Sequence, residues 1–129
     1  MSAEDHLTDS TPTMSIDTFW EWLTAHPNCI LRAGTRETAI FDDDDLHWHV
    51  AREGTETLLV QLIRGKRLLG ELLIPRDQIA YVQGGIGDQQ GEFVFELVSS
   101  SDSVQSALFF FVLTHGYESR TEPDQRRVH

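Results

Sequence analysis

Apolar positions along the chain change their period once. From residue 16 they recur at i, i+3, i+4 and i+7 as Ile16, Phe19, Trp20 and Leu23, a spacing that puts all four on one helical face. Ser15 stands where an N-cap belongs, and Asp17 falls in the first turn, where the helix dipole favours a carboxylate. Pro27 ends the run, because the residue before a proline resists the α conformation. One helix within 15–26 is predicted. Trp22 lies beside the stripe, so the helix is aromatic over much of its girth. Aromatics on a first helix usually bury, so the expectation is a plug on one face of a sheet rather than a groove rimmed by Trp22.

After Asn28 the period falls to two. Leu46, Trp48 and Val50 point one way, and His47, His49 and Ala51 the other. The stretches 57–63 and 68–74 are apolar on both faces, as is 107–115 with its three consecutive phenylalanines. That pattern marks the centre of a sheet covered on both sides. Turn residues separate the segments: Gly34-Thr35, Glu53-Gly54, Arg64-Gly65-Lys66-Arg67, Pro75-Arg76-Asp77, a flexible glycine-rich loop over 84–91, and the serines of 99–103. These connections are too short for parallel crossovers. The predicted fold class is α+β: one N-terminal helix packed on a mostly antiparallel β-meander of about seven or eight strands. It is a sandwich or a partly closed barrel, with Trp20, Trp48, Val60, Leu72, Phe95 and Phe110 in a shared core.

Composition narrows the class without naming a function. The chain of 129 residues suits one domain. Residues 1–14 and 117–129 carry too few large apolar groups to offset the entropy of ordering, so they are expected to be disordered tails around a single domain at 15–116. The net charge is −11, and the domain itself holds 15 acidic against 7 basic residues. Such a surface repels a nucleic-acid backbone or an anionic membrane. The single Cys29 excludes an internal disulfide framework and a zinc site built from several thiolates. As the start of an apolar strand, it reads as a buried inert thiol. The acidic start is no signal or transit peptide, and no apolar run approaches a membrane span. A soluble cytoplasmic domain is expected.

The densest chemistry lies between residues 42 and 53. His47 and His49, spaced i, i+2 on a strand, project to one side as a two-histidine metal site requires, and Glu53 shares their parity. The order His47-x-His49-x-x-x-Glu53 resembles the first half of the cupin metal motif. The resemblance covers seven residues. Phe41 and Val60 stand where that motif has glycines, and no second motif follows Pro75. With Trp48 facing the core, both histidines face solvent. Asp42, Asp43, Asp44 and Asp45 lack the glycine of a calcium loop and read as a solvated turn. Gly84 to Gly91 lacks the Lys-Ser/Thr of a phosphate-binding loop, and a strand follows it instead of a helix. No G-x-S-x-G elbow is present. One local reversal of sign remains: Arg64, Lys66 and Arg67 gather three of the domain's seven bases on one hairpin tip.

Two classes therefore follow. The favoured one is a small acidic, non-enzymatic protein-interaction module of adaptor, chaperone or immunity type, with no cofactor. It would contact another protein through charged surface, at Asp42, Asp43, Asp44 and Asp45 and at Arg64, Lys66 and Arg67. The alternative is a small metal-dependent enzyme or metal-binding cupin-like barrel using His47 and His49. Elemental analysis of untagged protein separates the two. We expect no stoichiometric zinc, iron or manganese; one metal per chain, lost on His47→Ala with His49→Ala, would reverse the ranking.

Overall fold

The computed structural model describes residues 13–99 and 105–117. In chain order these form β1 (Thr13–Met14), α1 (Ile16–Thr24), β2 (Ile30–Gly34), β3 (Ala39–Phe41), β4 (His47–Glu53), β5 (Thr57–Arg64), β6 (Arg67–Pro75), β7 (Ile79–Ile86), β8 (Phe93–Ser99) and β9 (Ala107–Leu113). Helix α1 starts where the sequence predicts. The Ser15 side chain accepts the Thr18 amide at 3.1 Å, satisfying one of the donors a helix start leaves open. At the other end Pro27 opens a short 3-10 turn, Pro27–Cys29, instead of prolonging the helix.

The strands form two antiparallel sheets. Sheet A has the order β1-β7-β8-β9-β2-β3, and sheet B the order β4-β5-β6. The fold is an α+β sandwich, with no closed barrel. Within each sheet consecutive strands mostly meander, with two departures, one being the pairing of β1 with β7. In the other, strand β9 returns to pair with β2, setting Phe111 beside Ala33. The most aromatic strand is thereby hydrogen-bonded on both edges, between β8 and β2.

Helix α1 packs its predicted stripe on the inner face of sheet A. The Phe19 ring lies 5.1 Å from that of Phe95 and 5.7 Å from that of Phe111. Trp20 meets Phe111 edge-on, and its indole N–H reaches across to sheet B, donating to the Ala51 carbonyl at 3.3 Å. Sheet B closes the core with Trp48, Leu58, Val60, Leu62, Leu72 and Ile74. Trp22 is half-buried against the same core, with its ring against Phe19 and Phe95.

Several expectations need correction. Trp20, Trp48, Val60, Leu72 and Phe95 share one core, but Phe110 does not belong to it. Phe111 is the inward ring, opposite Phe95, while Phe110 sits opposite Glu96 on the outer face. Three adjacent phenylalanines carry no parity of their own, so the neighbouring strands decide which one enters. Strands β5 and β6 are not covered on both sides. Their outward side chains are partly or largely exposed, and Leu73 stays 54% exposed. The glycine-rich segment is not all loop, since Gly84 and Gly85 lie within β7 opposite Phe95 and Val94. Of the segments expected to be tails, nearly all lies outside the described residues. The exceptions are Thr13 and Met14, which pair with Gln83 and Val82, and Tyr117, which packs against the core.

The inward and outward phenylalanines should separate in denaturation experiments. Phe111→Ala should cost about 3–5 kcal/mol in unfolding free energy, as buried aromatic truncations do. Phe110→Ala should cost about 1 kcal/mol. Equal losses would mean that the strand sits in the other register.

Candidate interaction surface

The acidic turn at 42–45 joins β3 of sheet A to β4 of sheet B. Its four carboxylates are exposed, and the backbone folds tightly beneath them. The Leu46 amide donates to the Asp43 carbonyl at 3.2 Å, and the Asp44 amide to the Asp43 side chain at 2.7 Å. Asp45 takes a left-handed conformation at φ 70°, which aspartate tolerates better than most residues. The turn is also tied to the core, because the buried Trp48 donates its indole N–H to Asp42 Oδ1 at 3.2 Å.

The basic tip closes the β5–β6 hairpin. Arg64 and Arg67 face each other across it, and Gly65 at φ 60° supplies the positive angle that a tight hairpin turn demands. His47 pairs with Ile63, so the turn that precedes β4 and the tip that follows β5 lie at the same end of sheet B. Opposite charges thus stand side by side, yet none of them joins an ion pair among the described residues. The pairs present there are Arg32–Glu92, Arg52–Asp17 and Arg76–Asp17. Large apolar side chains share this end: Phe41 is 59% exposed, Leu68 52% and Leu69 45%. A Cβ on Gly70 would meet Ile40 Cγ2 at 2.7 Å, so glycine is what lets the end of β3 lie against the start of β6.

The histidines keep the outward parity that the alternation predicts. Both are exposed, with His47 beside Ile63 and His49 beside Gln61. Glu53 shares their face but stands four residues beyond His49, about 13 Å along an extended strand. Among the described residues no group of three or more histidine, cysteine or acidic side chains is placed to hold a metal. In register with His49 across the sheet, the Glu71 carboxylate accepts a hydrogen bond from Gln61 at 2.8 Å. No family model matches this chain, and no curated protein or solved structure does.

At the far end of sheet B, Arg76 acts as a clamp. Its guanidinium donates two bonds of 2.8 Å to the Asp17 carboxylate and one of 3.3 Å to the Thr55 carbonyl, while its amide donates to the Glu56 carbonyl at 2.9 Å. The first turn of α1 is thereby fastened to the β4–β5 hairpin. The hydrogen bond from Arg76 holds the Asp17 carboxyl below its ordinary value, and the charges of Arg76 and Arg52 add to the shift.

One cluster escapes sequence reasoning. Cys29 does not open an apolar strand; it ends the 3-10 turn, half-exposed, with its sulfur 3.0 Å from His115 Nε2. His26 donates from Nδ1 to the Trp22 carbonyl at 2.8 Å, stacks on the Trp22 ring at 4.8 Å and meets the His115 ring at 5.2 Å. The Thr114 amide donates to the Cys29 carbonyl at 2.9 Å. These contacts latch the end of β9 onto the end of α1. Nothing in the residue order announces a pair 86 positions apart.

The Arg76 clamp gives a pH dependence of definite sign. Because the folded carboxyl of Asp17 is depressed, its stabilisation is complete above the unfolded value of about pH 4. It is lost as pH falls through the folded value. Asp17→Asn should therefore lower the melting temperature slightly at neutral pH and shrink the difference from wild type as acid is added. An unchanged difference down to pH 2 would show that the pair adds nothing at this half-exposed site.

Proposed function

We propose that this chain is a small acidic protein-interaction module, of adaptor, chaperone or immunity type, working in the cytoplasm without a cofactor. The single observation that carries the reading is the end of sheet B. There an acidic turn and a basic tip, both exposed and without ion pairs among the described residues, flank Phe41, Leu68 and Leu69. Charges held on well-defined turns can steer an approaching partner, and apolar side chains beside them supply area to bury once contact is made. Four carboxylates against three bases give this end both signs, which favours a partner whose own surface alternates. The surrounding excess of acid disfavours nucleic acid and anionic lipid. No helix among the described residues is long and apolar enough to cross a membrane.

This differs in one respect from a purely charged interface. Sequence reasoning expects the strands and the helix to satisfy one another's apolar surface. The exposure of Phe41, Leu68 and Leu69 adds an apolar component at the place where the charges converge.

A partner recovered by pull-down from native extract allows the test. Reversing Asp43 and Asp44 to lysine should slow association with a basic partner by roughly tenfold, and raising salt should erase the difference through screening. Reversing Arg64 and Arg67 to glutamate should do the same for an acidic partner. Melting should barely change, because both turns are exposed. A complex that forms equally fast in low and high salt, indifferent to either pair of reversals, would sink the proposal.

A further inference from the structure

We propose that Cys29 is a modification site: a nucleophilic thiol that His115 activates and that a small hydroperoxide converts to a sulfenic acid. The site draws on none of the residues proposed above for binding a partner.

The first argument is how firmly the pair is held. Cys29 Sγ lies 3.0 Å from His115 Nε2, within the reach at which an imidazole can take a thiol proton. Backbone hydrogen bonds on both sides fix that approach. The Cys29 amide donates to the His26 carbonyl at 3.1 Å, and the Thr114 amide donates to the Cys29 carbonyl at 2.9 Å. One residue further on, Ile30 of β2 stands in register with Leu113 of β9. The end of a strand pair therefore delivers cysteine and histidine to one place, rather than two free side chains meeting by chance. The base is held as well. Its ring meets the Trp22 ring at 5.9 Å and the His26 ring at 5.2 Å, both steeply edge-on. His26 is itself fixed, by its stack on Trp22 and its hydrogen bond to the Trp22 carbonyl. A nucleophile, a base in hydrogen-bond reach and a third group that positions the base make the arrangement of an activated thiol.

The second argument is access and charge. Cys29 is half-exposed, so a reagent of a few atoms reaches the sulfur. A net charge of −11 repels anionic disulfides and other anionic electrophiles, whereas a hydroperoxide is small and uncharged. In the reaction His115 takes the thiol proton, and an electron pair of the sulfur attacks one peroxide oxygen. The O–O bond breaks, and the leaving oxygen takes the proton back from the imidazolium to depart as water or an alcohol. Sulfur is oxidised, the peroxide is reduced, and nothing else is consumed. The chain has a single cysteine, so no internal thiol can close a disulfide. The sulfenic acid waits for an external thiol, which forms a mixed disulfide and releases water. An oxygen on Sγ occupies the space between sulfur and imidazole, so oxidation opens the contact that latches the end of β9 onto the end of α1.

Hydrogen peroxide is the probe, with dimedone to trap the sulfenic acid; dimedone ignores the sulfoxides that peroxide makes at Met1 and Met14. At neutral pH the folded full chain should gain one adduct, on Cys29, about tenfold faster than the same chain unfolded in urea. His115→Gln, with unchanged circular dichroism, should lose that advantage. A variant that melts earlier yet reacts at the wild-type rate would show the contact to be structural only, and the proposal fails. Folded wild-type thiol that reacts no faster than the unfolded thiol overturns it without recourse to any variant.

Discussion

Trp20 is enclosed by the helix that carries it, by the Phe111 ring of sheet A and by the backbone of β4 in sheet B, where its N–H finds the Ala51 carbonyl. A two-sheet sandwich of this size has little core, and a large aromatic with one polar atom fills the gap only if that atom is satisfied. The indole meets both demands and holds the sheets at a set separation. Phe19, one residue earlier, covers Phe95 and Phe111 from the same helix turn. The rest of the structure depends on this insertion. Without the short helix, the inner faces of both sheets would have no third wall.

Surface features inherit their geometry from that core. Trp48 is buried from sheet B, and its indole holds Asp42 at the root of the acidic turn. A solvated run of carboxylates is thus anchored by a side chain whose position is set by packing. Arg76 plays the matching part at the other end, binding Asp17 of the helix and the backbone of the β4–β5 hairpin together. Both ends of sheet B are therefore shaped by residues that reach from core or helix to turn. This is why charge reversals on the exposed turns are expected to leave the fold intact.

The two faces of sheet B set its character. Its inner face completes the sandwich, while its outer face combines aliphatic rows with a band of histidine, glutamine and glutamate. Sheet A solves the same problem differently. On its outer side Arg32 and Glu92 form a half-buried ion pair at 3.1 Å, and Val98 and Val112 are buried outside the main core. The outer face of sheet B thus keeps aliphatic side chains such as Leu68 and Leu73 in contact with solvent.

The sequence by itself determined the helix, its cap, the antiparallel character of the strands and the outward parity of His47 and His49, because period, capping and turn chemistry are local signals. It also determined that the acidic turn and the basic tip are exposed, since charged turns rarely bury. It could not choose among Phe109, Phe110 and Phe111, because three like residues in a row have no alternation, and only pairing with Phe95 and Ala33 makes Phe111 the inward one. Nor could it tell a central covered strand from a two-faced strand in a three-stranded sheet, since both read as continuous apolar runs. The meeting of Cys29 with His115, and the gathering of turn and tip at one end of sheet B, come from strand order and register. Those are set by which surfaces bury together across long stretches of chain, and only the tertiary structure decides that.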